Sequence, residues 1–188
     1  MISPSSYGAP APSTACDQAI VQLQRAEGVA DYDEREQIYF VLGNACGMAG
    51  RYPEAIPNFR KVLEINPENH EAAKRLALAL YMVKRFREAL SFFKAAEKGI
   101  AGDGPFFDEI ALTYAALKEY KSAFVYFEKA VKLAPIARFY ADFAVTAAAS
   151  GDSARAVALM EKALADPKAD VSFQKEARSL IGQWKRKK

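Results

Sequence analysis

The chain has 188 residues, 51% of them hydrophobic and 26% charged, with a net charge of +3. That is an ordinary soluble composition, and so small a charge gives no electrostatic footprint for nucleic acid or an anionic membrane surface. The longest apolar run, Leu76 to Val83, is too short to span a bilayer, so membrane insertion is not expected.

Residues 1–15 are rich in Pro, Ser and Ala. Such a composition cannot bury a core and reads as a flexible tail. The sharper alternative is that the tail lies in a groove of its own or a neighbouring molecule. Ser13-Thr14-Ala15-Cys16 has the look of a lipoprotein cleavage site but lacks the hydrophobic stretch that should precede it. The cytoplasm is slightly favoured as the compartment, and an exported or periplasmic mature fragment stays open. Residues 16–35 read as a lone helix and a connection. Ala19, Leu23 and Ala26 match Ala55, Phe59 and Val62 in spacing. In the connection, Asp31, Asp33 and Glu34 are placed to complement the positive end of the next helix, a local role rather than metal binding.

From Glu36 onward one pattern repeats. Tyr39, Leu42, Gly43 and Cys46 are followed by Ala55, Phe59 and Pro67. Bulky residues flank small ones, so two short helices can cross closely at Gly43 and Ala55. Gly50-Arg51-Tyr52-Pro53 makes the turn, with Pro53 in the first turn of the second helix. Pro57 lies one turn later and is expected to bend that helix slightly, and Asn66-Pro67 ends it. Ala77 stands thirty-four residues after Gly43, and Ala111 thirty-four after that. Their flanking slots are Ala73, Leu76, Leu80, Ala89 and Phe93, then Phe107, Ile110, Tyr114, Ala123, Phe127 and Pro135. A weaker copy has Tyr140, Phe143, Ala144, Ala147, Ala156, Met160 and Pro167. The loop from Gly99 to Pro105 has glycines but neither the spacing nor the Lys-Ser/Thr ending of a phosphate loop. Within it, Asp103 is a helix N-cap with Pro105 in the first turn. Residues 169–188 form a capping helix and a basic tail. Phe173, Ala177, Leu180, Ile181 and Trp184 make its apolar stripe, which closes the open end of a repeat stack.

These motifs resemble the tetratricopeptide-repeat family over roughly Glu36 to Pro167. The resemblance implies an all-α fold, a right-handed superhelical solenoid of antiparallel helix pairs with repeats at 36–69, 70–103, 104–136 and 137–168. The second copy departs from the pattern by having Ala101 where the terminal Pro belongs, and Cys46 and Leu80 stand where the family commonly has Tyr.

In this family the first helices of successive repeats line a concave groove. Helical spacing then turns inward Gln37, Phe40, Asn44 and Met48, then Lys74, Leu78, Tyr81 and Met82. Asp108, Leu112 and Ala115 follow in the third copy, and Arg138, Ala141, Val145 and Ala148 in the fourth. Aromatic and Met side chains facing water are costly unless covered, and Met adapts to varied partners. The expected partner is an extended peptide or a helix with apolar side chains. Each of these residues is equally readable as core between repeats. The clamp by which some relatives grip acidic chaperone tails is not expected, because only Asn44 matches it and Asp108 has the wrong charge. The alternative is a structural protein that self-associates through its N-terminal end or the groove.

No catalytic constellation is visible and no cofactor is implied. The single histidine, His70, excludes a multi-histidine metal site; it starts a helix and is expected at the surface. Cys16 and Cys46, the two cysteines, read as separate thiols, with Cys46 buried as a small hydrophobe. The alternative pairs them across antiparallel helices, and a disulfide there would require Cα atoms under about 7 Å apart.

Overall fold

The computed structural model describes residues 17, 21, 25, 26, 32–100 and 103–186. Asp17, Val21, Arg25 and Ala26 are helical. Nine helices follow among the described residues, with no strand. They are α1 (Tyr32–Met48), α2 (Tyr52–Ile65), α3 (His70–Met82), α4 (Phe86–Glu97), α5 (Gly104–Ala116), α6 (Tyr120–Leu133), α7 (Ala137–Ala149), α8 (Ser153–Leu164) and α9 (Val171–Lys185). They fall into two compact units, α1–α4 and α5–α9. The fold class is the all-α helical-repeat solenoid.

In the first unit α1 packs on α2, α2 on α3 and α3 on α4. The small residues sit at the crossings. Gly43 is buried, and a Cβ there would lie 2.6 Å from Cε1 of Phe59. Ala55, Ala77 and Ala89 are fully buried, and Leu42, Phe59, Leu76, Leu80 and Phe93 are buried with them. Pro53 lies in the first turn of α2 and Pro57 inside that helix. Cys46 is buried. The pairing considered for it falls on Cys16, which lies outside the described residues, as does the tail of residues 1–15. His70 is half-buried rather than at the surface. Its ring fills the space above Gly99, where a Cβ would stand 1.7 Å from Cδ2 of the imidazole.

In the second unit α5 packs on α6, α6 on α7, α7 on α8 and α8 on α9. Ala111, Ala123, Ala144, Ala147 and Ala156 are fully buried. Phe127 stacks on Phe143 at 5.1 Å between ring centroids. The apolar stripe of α9 buries Ala177 and Trp184.

The ends of the helices repeat as regularly as the crossings. Asn69, Asp103 and Asp170 each accept a hydrogen bond from the backbone N–H three residues on, at Ala72, Phe106 and Phe173. This satisfies a donor that a helix start otherwise leaves unpaired. Ile136 has no side chain for this, and Asp166 instead accepts from the Ala137 N–H at 3.1 Å. Each turn inside a helix pair closes with one residue in the left-handed region: Gly50 (φ 72°), Lys84 (63°), Lys118 (61°) and Gly151 (91°). The next N–H reaches back five residues, from Arg51 to Cys46, Arg85 to Leu80, Glu119 to Tyr114 and Asp152 to Ala147, at 2.8–3.0 Å. That is the Schellman helix end, made four times in step.

Candidate functional site

The surfaces singled out by sequence lie on the first helices of the pairs, and each unit is described by itself. In the first unit they are on α1 and α3, which touch. Gln37 is exposed, and Phe40 and Asn44 are half-buried. The Phe40 ring meets Phe59 edge-on at 6.1 Å, so part of it belongs to the α1–α2 seam. Lys74, Leu78 and Tyr81 are half-buried, and Tyr81 meets Phe86 edge-on at 5.4 Å. The two methionines behave differently. Met48 is 77% exposed and Met82 42% exposed. They stand thirty-four residues apart at the ends of α1 and α3. Val41 is also exposed.

In the second unit Leu112, Ala115, Ala141, Val145 and Ala148 are half-buried. Asp108 and Arg138 come together across α5 and α7. Arg138 Nη2 lies 3.4 Å from Asp108 Oδ2, and its Nε 3.6 Å from Asp142 Oδ2. Asp108 is completely buried, while the Arg138 side chain remains 53% exposed. Desolvation and the neighbouring Asp142 push the Asp108 carboxyl up to about 8, so it holds its proton at neutral pH. Burial pushes the Asp142 carboxyl up as well, against the pull of Arg138. Asp142 was not among the residues picked out by sequence. The signal was there in Arg138 and Asp142 at i,i+4, which places them on one helix face.

Among the described residues no group of three or more His, Cys, Asp or Glu is arranged to hold a metal ion. No helix among them is long and apolar enough to cross a membrane.

Comparison with known proteins agrees with this architecture. Two tetratricopeptide-repeat family models match, one over residues 48–104 and the other over 106–136. The BBSome complex member BBS4 homolog of Drosophila melanogaster is 38% identical over 63 residues, which is 34% of this chain and 13% of that protein. The chain therefore spans a small part of that relative. Crystal structures of MamA and of YrrB, the latter described as a TPR protein with an unusual peptide-binding site, share the fold. MamA superposes with a TM-score of 0.74 at 19% identity, over 87% of this chain and 91% of its own. YrrB gives 0.77 at 20% identity, over 88% and 84%. Helix pairs repeated at this period, with small residues at each crossing and two family matches in succession, identify the chain as a member of the tetratricopeptide-repeat family and a protein–protein interaction scaffold.

Proposed function

We propose that the chain binds an extended peptide or a helix with apolar side chains on the face formed by α1 and α3, as a non-catalytic adaptor or assembly factor. The observation that carries this reading is the exposure of Met48 and Met82 at equivalent places on the two helices. An exposed thioether gains from being covered and adapts to differently shaped side chains. Phe40 and Tyr81 add apolar surface beside them, but both rings also pack internally, so their removal would confound binding with stability. The cleaner variant is Met48→Ser with Met82→Ser. The test is selection of a phage-displayed random peptide library on the full chain, followed by affinity measurement on the enriched peptides. Enriched sequences with spaced apolar residues, bound about tenfold more weakly by the double variant, support the reading. Unchanged affinity overturns it. Self-association, through the N-terminal end or through this face, is the second reading. Its N-terminal form is favoured by Val21, a helical residue that is 45% exposed. Light scattering across a concentration series separates the two: a mass that rises with concentration supports self-association.

A further inference from the structure

The sulfur-bearing side chains fall into two classes. Among the described residues Cys46 and Met160 are 2% and 1% exposed, whereas Met48 is 77% and Met82 42% exposed. The two open thioethers occupy the same step of the repeat. Met48 is the last residue of α1 and Met82 the last of α3. Each stands two residues before a left-handed position in the turn, Gly50 and Lys84. The backbone beside Met48 is uncrowded as well, because a Cβ at Gly47 or at Gly50 would meet no atom within 4 Å. A small oxidant in water therefore reaches Met48 and Met82, and an oxygen added to either sulfur stays outside the core. At Met160 the same oxygen would have to enter closed packing. The Cys46 thiol is shielded in the same way, and buried structural cysteines are inert.

We propose that Met48 and Met82 are a paired modification site, at which a peroxide converts both thioethers to sulfoxides and so releases the apolar peptide held on the α1–α3 face. The inference rests on the binding reading above and adds a control to that site. A sulfur lone pair attacks one peroxide oxygen and the O–O bond breaks. That oxygen stays on sulfur as S=O, and the other leaves as water after taking up its proton. The sulfur is oxidised by two electrons and the peroxide is reduced. The product is polar and accepts hydrogen bonds from water. Covering it with apolar side chains strips those bonds away, so the surface that favoured a partner now resists one. The change is reversible, because methionine sulfoxide reductases return each sulfoxide epimer to the thioether. Both sulfurs lie at helix ends and are exposed, so the fold survives while the face changes character.

The test treats the full chain with hydrogen peroxide and reads sulfoxide at each methionine by peptide-mapping mass spectrometry. Met48 should convert first and Met82 next, with Met160 only after both. The probe is the tightest-binding peptide from the phage selection that contains no Met or Cys, labelled with fluorescein and followed by anisotropy. Oxidation of Met48 and Met82 should weaken it about tenfold, with the melting temperature of the chain little changed. Methionine sulfoxide reductases with dithiothreitol should restore the affinity. Dithiothreitol alone should not, which separates the sulfoxides from any disulfide made through Cys16. Met48→Leu with Met82→Leu keeps an apolar face that peroxide cannot alter, and should bind the probe equally before and after treatment. Conversion of Met160 ahead of Met82, unchanged affinity with both sulfoxides in place, or a peroxide-induced loss that persists in the leucine variant would each overturn the proposal and leave the binding reading standing. A loss that comes with a collapse of the melting temperature also overturns it, as unfolding rather than control. If the untreated chain enriches no peptide, the binding reading falls and this one falls with it.

Discussion

Gly43 and Phe59 face each other across the α1–α2 crossing so closely that a Cβ on Gly43 would lie 2.6, 2.8 and 2.9 Å from three atoms of the ring. The ring is only 2% exposed and also meets Phe40 edge-on, so it has little room to retreat. Gly43→Ala would ordinarily stabilise a helix interior by about 1 kcal/mol. Here it overpacks the seam, and the expected net result is a loss of roughly 1–3 kcal/mol. Urea denaturation of the variant checks this. The paired change Gly43→Ala with Phe59→Leu should recover part of the loss, because the smaller side chain makes room.

Lys84 and Lys118 carry a backbone conformation that Gly50 and Gly151 adopt at the same step of the repeat. A side chain in the left-handed region costs about 1–2 kcal/mol, and glycine returns roughly 0.5–1 of that through its freer unfolded state. Lys84→Gly and Lys118→Gly should therefore each stabilise the chain by about 0.5–1 kcal/mol. Both lysines are exposed, so little packing is at stake. Gly50→Ala and Gly151→Ala should move the melting temperature the other way, and thermal denaturation of the four variants gives the comparison.

Asn69 acts at both ends of its amide. Its Oδ1 accepts from the Ala72 N–H at 2.8 Å, and its Nδ2 donates to Glu36 Oε1, also at 2.8 Å. Asn66 donates to the same Glu36 oxygen at 3.1 Å, so α1 is tied to the turn before α3. Asn69→Ala removes the cap and one of the two ties to Glu36, at an expected cost of about 1–2 kcal/mol. Asn69→Asp keeps the cap but sets a carboxylate against Glu36. Its cost should shrink as salt is added, since screening weakens like-charge repulsion, whereas that of Asn69→Ala should not. Denaturation at low and high ionic strength distinguishes them.

The crossings were legible in sequence because they need residue types that little else requires: Gly43, Ala77 and Ala111 are small among bulky neighbours at one period. The fold class followed from the family resemblance that these residues carry. Asp103 was legible as a cap because Gly104-Pro105 marks a helix start. Lys84 and Lys118 were not, since no lysine announces a left-handed backbone; only counting thirty-four residues on from Gly50 leads to them. His70 was expected at the surface because it begins a helix, a local reading that could not see Gly99 leaving space for its ring. The Asp108, Arg138 and Asp142 cluster is a tertiary arrangement. Two of its members were singled out for facing one surface, and their meeting depends on how α5 and α7 lie beside each other.

The same cluster sets a pH dependence of stability whose sign is opposite to that of most acids in folded chains. The Asp108 carboxyl is raised to about 8 in the folded chain from an ordinary 3.8. Between those values the unfolded chain has released a proton that the folded chain still holds. Its contribution is fully present below about pH 4, falls as pH rises, and is gone once pH has passed through about 8. Asp108→Asn replaces the protonated carboxyl with a neutral group of nearly the same shape and cannot ionise in either state. The variant should therefore lose this part of the pH dependence, with its melting temperature flatter than the wild type between about pH 5 and about pH 8 and higher at the upper end. Glu54 and Glu88 are pulled below the usual carboxylate range by hydrogen bonds to Arg51 and Arg85. Their contributions are present at neutral pH and are lost only as pH falls through their lowered values, so they do not enter this window. A melting series in which wild type and Asp108→Asn run parallel across the window would show that the buried carboxyl is already ionised, contrary to its desolvated position between α5 and α7.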